Sequence, residues 1–365
     1  MNQIQVYLQY PWGVSDSQYY KSLLDNPPLG IKYLNSKDRS GIITNRKKFI
    51  LSSTLRRSLR RLLEKINFPI PNAKLTKIDE KFDLIHNAHC LSLNKSPWVA
   101  DFESLWQMWI SGRGTKKGIK KVKKIINQKN CKNIIAWTEH SKNEIISRFP
   151  EIEKKIEVIP YAMKFPSFKK ITSKKIRLLF VSRYFFHKGG LHALEIFDRL
   201  TKEYPNVEAT IVSDIPPEIK NKYSKNRKIK FYKLIPYKKL LEDIYPSIDI
   251  LVYPGYSDTF GFVFVEALAF GIPVVTADGF SRKDLVMHNK TGFIAERDKN
   301  LDPEKIEEIE EKTIKQMINY TKKLITNESL RSTMSKYSQS LVKKGKFSLE
   351  YRNEKLKKVY TQALK

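Results

Sequence analysis

The chain has 365 residues, 41% hydrophobic and 12% aromatic, enough apolar material for two buried cores and too much for a disordered chain. Glu266 interrupts the longest apolar stretch, 260–275, so no spanning helix is expected, and two cysteines, Cys90 and Cys131, make neither a disulfide framework nor a metal cluster. Lys and Arg total 68 against 38 acidic residues, a net charge of +30 that points to nucleic acid, an anionic membrane surface or a phosphorylated ligand.

Residues 1–10 carry no Lys or Arg ahead of their apolar residues and do not read as a signal peptide, so a cytoplasmic setting is expected. Short apolar runs then alternate with stretches of helical length. Ile4–Tyr7, Leu84–His86 and Ile134–Trp137 read as buried strands in the first half, and Arg177–Val181, Ala209–Val212, Ile248–Tyr253 and Pro273–Thr276 in the second. Such alternation predicts an α/β protein built on parallel sheets with helices on both faces. Residues 1–170 hold 32 basic and 14 acidic side chains and are the more basic part.

Two basic stretches stand out there. The first, Arg46 to Lys65, has Leu55, Leu59, Leu62 and Ile66 at helical spacing among arginines. The second, Arg113 to Lys132, has nine basic residues and no acid, with Ile119, Val122 and Ile126 on one face and Trp106, Trp109 and Ile110 just before it. Two readings stay open. Basic amphipathic helices near Trp suit an anionic membrane surface, and ordinary sheet-packing helices carry solvated lysines outside. His86 and His89 have no further ligand cluster and read as satisfied core or cleft histidines.

Lys164 to Lys175 is polar, basic and proline-containing, and reads as a linker. A domain boundary is therefore expected near 170, giving domains 1–170 and 171–345 and a terminal segment 346–365. In the second half, Arg183 ends a strand and Lys188 precedes Gly189 and Gly190. Cations at a helix start are opposed by the helix dipole and make sense if an anion binds there. Gly261 opens a helix to Phe270, with Thr259 the expected N-cap. Glu266 sits among Phe262, Val263, Phe264, Val265, Ala267 and Leu268, a costly place unless it faces a cleft or a partner. Asp258 lies eight residues earlier, at most ~12 Å along a helix, about the distance from sugar to ribose in a nucleotide sugar. The N–H groups of Phe262 and Val263 fall between the two acids, where a helix N-terminus binds phosphate. Charged helices are expected over 304–344 and 349–364.

These motifs, Arg183 and Lys188 after a strand and then SDTFGFVFVEALAFGIPVV with Asp258 and Glu266, resemble those of family 4 GT-B glycosyltransferases over 176–294. The resemblance implies two Rossmann-like domains facing a cleft, a C-terminal helix crossing back to the first, and retaining transfer from a nucleotide-diphosphate sugar with no obligatory metal or other cofactor. By the same resemblance Arg183 and Lys188 hold the diphosphate, with the N–H groups of Phe262 and Val263 and the close approach of Gly261. Glu266 takes the ribose hydroxyls and Asp258 the donor sugar. Leu234 and Ile235 contact the base, and Gly13 lies in the loop that approaches the diphosphate. Where the family carries a first-domain site histidine, this chain reads SPWVADFESLW, so Asp101 or Glu103 would serve. Asp258 stands where Glu is commoner.

The leading expectation is a glycosyltransferase with a lipid-linked acceptor at a membrane face. A soluble enzyme acting on a free glycan or protein is the alternative. A nucleic-acid-binding protein ranks behind both, since no recognition signature appears and no aromatic residues interleave with the basic runs.

Overall fold

The structure is a computed structural model, and it describes residues 3–10, 17–34, 58, 59, 61–255, 258–297 and 311–365. The chain divides into two compact units, Met1–Ala162 with Leu349–Lys365, and Met163–Ser348.

Each unit is built on a six-stranded, all-parallel sheet. The first runs Ile156–Val158, Cys131–Ala136, Trp98–Phe102, Leu84–Ala88, Ile4–Gln9, Ile31–Tyr33 from edge to edge. Its order reverses beside Ile4–Gln9. The second runs Ile229–Tyr232, Val207–Val212, Ile176–Val181, Ile250–Tyr253, Val274–Ala277, Gly292–Ala295. Its order reverses between Ile176–Val181 and Ile250–Tyr253, the Rossmann arrangement with its ligand crevice at the carboxyl ends of those strands. Parallel strands are covered on both faces and read as continuous apolar runs. Leu178, Leu179, Phe180, Ile250, Leu251, Val252, Val274 and Val275 are accordingly all fully buried. Helix Gly190–Glu203 lays Ala193, Leu194, Phe197 and Leu200 inward at helical spacing.

All seven apolar runs expected as strands fall in these two sheets. The polar connection does not. Phe168 packs against Phe270 with ring centroids 4.5 Å apart, the Lys343 ammonium lies 4.6 Å from the Phe165 ring, and Lys170 pairs with Asp249 at 3.4 Å. These aromatic contacts make 164–171 part of the second unit, which begins at Met163 rather than near 170. The expected charged helix over 304–344 is two helices, Glu311–Thr326 and Glu328–Lys343, split where the Asn327 side chain accepts from the Leu330 N–H at 2.9 Å. Residues 304–310 lie outside the described residues.

The last helix, Leu349–Ala363, belongs to the first unit. Arg352, fully buried, donates to the Ser22 hydroxyl at 2.8 Å and to the Asn26 carbonyl at 2.7 Å. Tyr360 meets Tyr33, hydroxyl to hydroxyl, at 2.9 Å. Helix Lys116–Ile126 buries Val122, Ile125 and Ile126 in the core of the first unit, and Thr115 caps it from the Gly118 N–H. Its apolar stripe is thus engaged by the sheet, and its lysines face outward. Of the other basic stretch, 46–57 and 60 lie outside the described residues, while Leu59, Leu62, Ile66 and Phe68 are more than half exposed. Among the described residues no helix is long and apolar enough to cross a membrane.

Candidate donor site

The carboxyl ends of the second sheet collect the residues singled out above. Ser182 and Arg183 follow Ile176–Val181, and the Ser213 hydroxyl donates to the Ser182 carbonyl at 2.7 Å. That bond fixes the strand end from which Arg183 projects, exposed and with no ion-pair partner among the described residues. A short turn, Phe186–Lys188, leads into helix Gly190–Glu203. Leu234 and Ile235 follow Ile229–Tyr232, with Leu234 exposed and Ile235 half-buried.

Across the switch point, the Gly255 N–H donates to the Lys188 carbonyl at 3.0 Å. A Cβ on Gly255 would lie 2.6 Å from the Lys188 backbone, so only glycine permits this approach. The two loops are joined there, and the Lys188 ammonium meets the Asp258 carboxylate in an ion pair. Both partners are mostly enclosed, at 16% and 13% exposure. Lys188, expected to hold a diphosphate, therefore rests on the carboxylate expected to meet the sugar.

The helix after Asp258 spans Phe262–Ala269, and its N-cap is Gly261, not Thr259. Gly261 takes φ +85°, a left-handed conformation that favours glycine and disfavours a β-branched threonine. Phe262 and Val263 are half-buried and Phe264 to Phe270 buried, so the helix enters the core with its first N–H groups at the rim. Glu266 is buried, and the Tyr245 hydroxyl donates to its Oε2 at 2.7 Å. Burial raises its pKa above the ordinary carboxylate value, with hydrogen bonds from Tyr245 and Tyr237 opposing. Tyr245 is itself held by stacking on Phe270 at 5.1 Å.

Two residues were not anticipated. Tyr245 orients Glu266, and Arg282, after Val274–Ala277, is fully buried. Arg282 precedes Leu285 and Val286 by three and four positions, and that spacing puts it on the inward face while its neighbour Lys283 stays 73% exposed.

The first unit has a different polar centre. Asp101, at the end of Trp98–Phe102, accepts from Tyr20 at 2.7 Å and from the Trp137 indole at 3.2 Å, and its other oxygen pairs with His86 Nε2 at 2.9 Å. His86 Nδ1 meets the Tyr360 hydroxyl at 2.7 Å. Asp101 and His86 have no exposure at all, and both oxygens of Asp101 are engaged by core groups. Glu103 is 21% exposed and lies 3.7 Å from His89, whose φ is +51°. Gly13 lies outside the described residues. Among the described residues no three His, Cys, Asp or Glu side chains are placed to hold a metal ion.

The comparisons with known proteins bear on the family and the fold. Residues 163–340 match the family described as glycosyl transferases group 1, a span that takes in every residue of the donor site. CapM of Staphylococcus aureus, a capsular polysaccharide biosynthesis glycosyltransferase, is 28% identical over 64% of this chain and 62% of its own length. An uncharacterized glycosyltransferase of Haemophilus influenzae is 24% identical over 53% of this chain and 55% of its own. The chain thus spans under two thirds of these curated relatives. In structure, a glycosyltransferase of Rickettsia africae superposes with a TM-score of 0.67 at 17% identity, covering 100% of both chains. Anabaena HepE, in complex with UDP-glucose, superposes at 0.61 and 14% identity, covering 98% of this chain and 100% of its own. Residues 163–340 thus carry a domain of the glycosyl transferases group 1 family, and the two parallel six-stranded sheets give the chain the GT-B fold of the solved glycosyltransferases it resembles.

Proposed function

We propose that the protein transfers a sugar, with retention of configuration, from a nucleotide-diphosphate sugar to a hydroxyl of a growing glycan. The observation that carries this reading is the convergence of Arg183, Lys188, Asp258 and Glu266 at the switch point of the second sheet. Arg183 and Lys188 supply two cations for the diphosphate, and the first-turn N–H groups of Phe262 and Val263 add their dipoles. Those groups stabilise charge as it develops on the leaving phosphate, the main demand of this chemistry. Glu266, oriented by Tyr245, accepts from the ribose hydroxyls. Asp258, released from Lys188 when the diphosphate arrives, accepts from the donor sugar. Leu234 and Ile235 offer backbone groups to the base. Glu103 is the first-unit acid left accessible for the acceptor side. No obligatory metal enters this scheme, since cationic side chains balance the diphosphate.

HepE binds UDP-glucose, which supports a nucleotide-sugar donor, and the name of CapM supports a place in surface-glycan assembly. Exposed Leu59, Leu62, Ile66 and Phe68, the last with the Lys121 ammonium 5.7 Å from its ring, support work at an anionic membrane face with a lipid-linked acceptor. The engagement of Val122, Ile125 and Ile126 by the core favours instead a soluble enzyme acting on a free glycan or protein.

Donor hydrolysis tests the reading without a known acceptor. UDP-, GDP- and ADP-sugars are incubated with the protein, and the first-formed free sugar is followed by proton NMR. Release from one donor with the anomeric configuration kept is expected. Release of the inverted anomer contradicts retention, and turnover that rises on vesicles of anionic lipid separates the membrane reading from the soluble one.

A further inference from the structure

Among the described residues of the second unit, Arg282 is the cation that is fully buried, and the donor-site scheme does not use it. Arg282 is 1% exposed, and taking a guanidinium out of water is costly unless its surroundings hold it. Its Nε donates to the Ala277 carbonyl at 3.2 Å, one Nη donates to the Gly255 carbonyl, and its plane lies 4.1 Å from the centre of the Phe264 ring. The other Nη makes no hydrogen bond, and neither does Oδ2 of Asp258. The attraction between Arg282 and Asp258 is the largest favourable charge interaction acting on the buried guanidinium.

These contacts form a chain. Arg282 holds the Gly255 carbonyl, and the N–H of the same Gly255 holds the Lys188 carbonyl at 3.0 Å. Lys188 pairs with Asp258, and Asp258 feels Arg282. Phe264, under the guanidinium, also meets Tyr253 at 5.1 Å and belongs to the helix Phe262–Ala269. Arg282 thus touches the ends of two strands and the helix Phe262–Ala269 directly, and reaches Lys188 through Gly255.

We propose that Arg282 is a positioning residue for the nucleotide-sugar site: it sets the Gly255–Lys188 junction and thereby aims the Lys188 ammonium at the diphosphate, without touching the ligand itself. This rests on the donor-site reading above. Because Arg282 acts through Lys188, its loss falls on the diphosphate part of the ligand. Damage of a general structural kind would fall on nucleoside and phosphates alike.

The test compares a nucleoside diphosphate with its monophosphate by calorimetry, using UDP/UMP, GDP/GMP and ADP/AMP, on wild type, Arg282→Met and Arg282→Lys. In Arg282→Met the preference for diphosphate over monophosphate is expected to fall about tenfold, the size of one hydrogen bond to a charged group, with monophosphate affinity kept. Arg282→Lys retains the charge and one donor and is expected between the two. In a Lys188→Ala background, Arg282→Met is expected to add nothing. Equal weakening of both ligands, or effects of Arg282 and Lys188 that simply add, would overturn the role. If Arg282→Met does not fold, an unchanged ratio in Arg282→Lys overturns it as well. No binding of any nucleotide by wild type overturns the donor-site reading, and this inference with it.

Discussion

The two sheets end in two kinds of polar centre. In the first unit, Asp101, His86, Tyr20, Trp137 and Tyr360 satisfy one another in full burial. In the second, Arg183 is exposed, Lys188 and Asp258 neutralise each other at the rim, and Glu266 keeps a carboxylate where burial disfavours its charge. A buried network whose members are all bonded specifies a core. Charges held at a strand-end crevice, with glycine backbones beside them, are poised for a ligand that carries charge. The same architecture therefore has one end built for cohesion and one for exchange.

Substitution can break this contrast. Asp101→Ala should have the largest effect on stability. It strips His86, Tyr20 and Trp137 of their common acceptor and should cost about 3 kcal/mol, read by denaturant unfolding, while nucleotide binding to the second unit is kept. Loss of nucleotide binding with unchanged stability would reverse the assignment. Lys188→Ala should do the opposite. It should lower diphosphate affinity about tenfold or more, yet destabilise the fold less than Asp101→Ala does.

Glu266 sharpens the contrast in two ways. Glu266→Gln should erase discrimination between a ribonucleotide and its 2′-deoxy counterpart, because a buried carboxylate left facing a missing hydroxyl is what rejects the analogue. The same variant tests the pH dependence. The folded pKa of Glu266 lies above its ordinary value of 4.5, so the folded state binds the proton more tightly than the unfolded chain. The cost of ionising Glu266 is absent below 4.5, grows as pH rises through the window up to the raised value, and is constant above it. Glu266→Gln should therefore gain stability relative to wild type on going from acid to neutral pH. A difference that does not change with pH would contradict the buried, charge-penalised carboxylate.

The smallest effect is expected at the cysteines. Cys90 and Cys131 are buried, and burial pushes each thiol up to about 12. Neither should react with a maleimide at neutral pH until the first unit unfolds. Fast labelling of folded protein would show that this unit opens far more readily than its sealed core suggests.

The sequence made the second unit legible because its signals are local. Apolar runs mark strands buried on both faces, and Arg183, Lys188, Asp258 and Glu266 each sit at a fixed offset from a strand or helix end. Thr259 was misleading as a cap because side-chain chemistry favours it, while the backbone demands the φ of +85° found at Gly261. The linker reading of 164–175 counted its lysines and proline, and the contacts of Phe165 and Phe168 outweighed them. The first unit was harder to read because its polar centre is assembled over long separations. Asp101 and Tyr20 are 81 positions apart, and His86 and Tyr360 are 274 apart, and no periodicity joins them. Arg282 carried a weak signal in its spacing from Leu285 and Val286, drowned by the many lysines of the chain.

The central claim is that Arg183 and Lys188 form a diphosphate site at the switch point of the second sheet. The most direct measurement is calorimetric titration of UDP, GDP and ADP into wild type and into the Arg183→Ala/Lys188→Ala variant. Binding of one nucleotide by wild type, lost in the double variant while its unfolding midpoint is kept, is the predicted result. Equal binding by both proteins, or none by wild type, would contradict the claim.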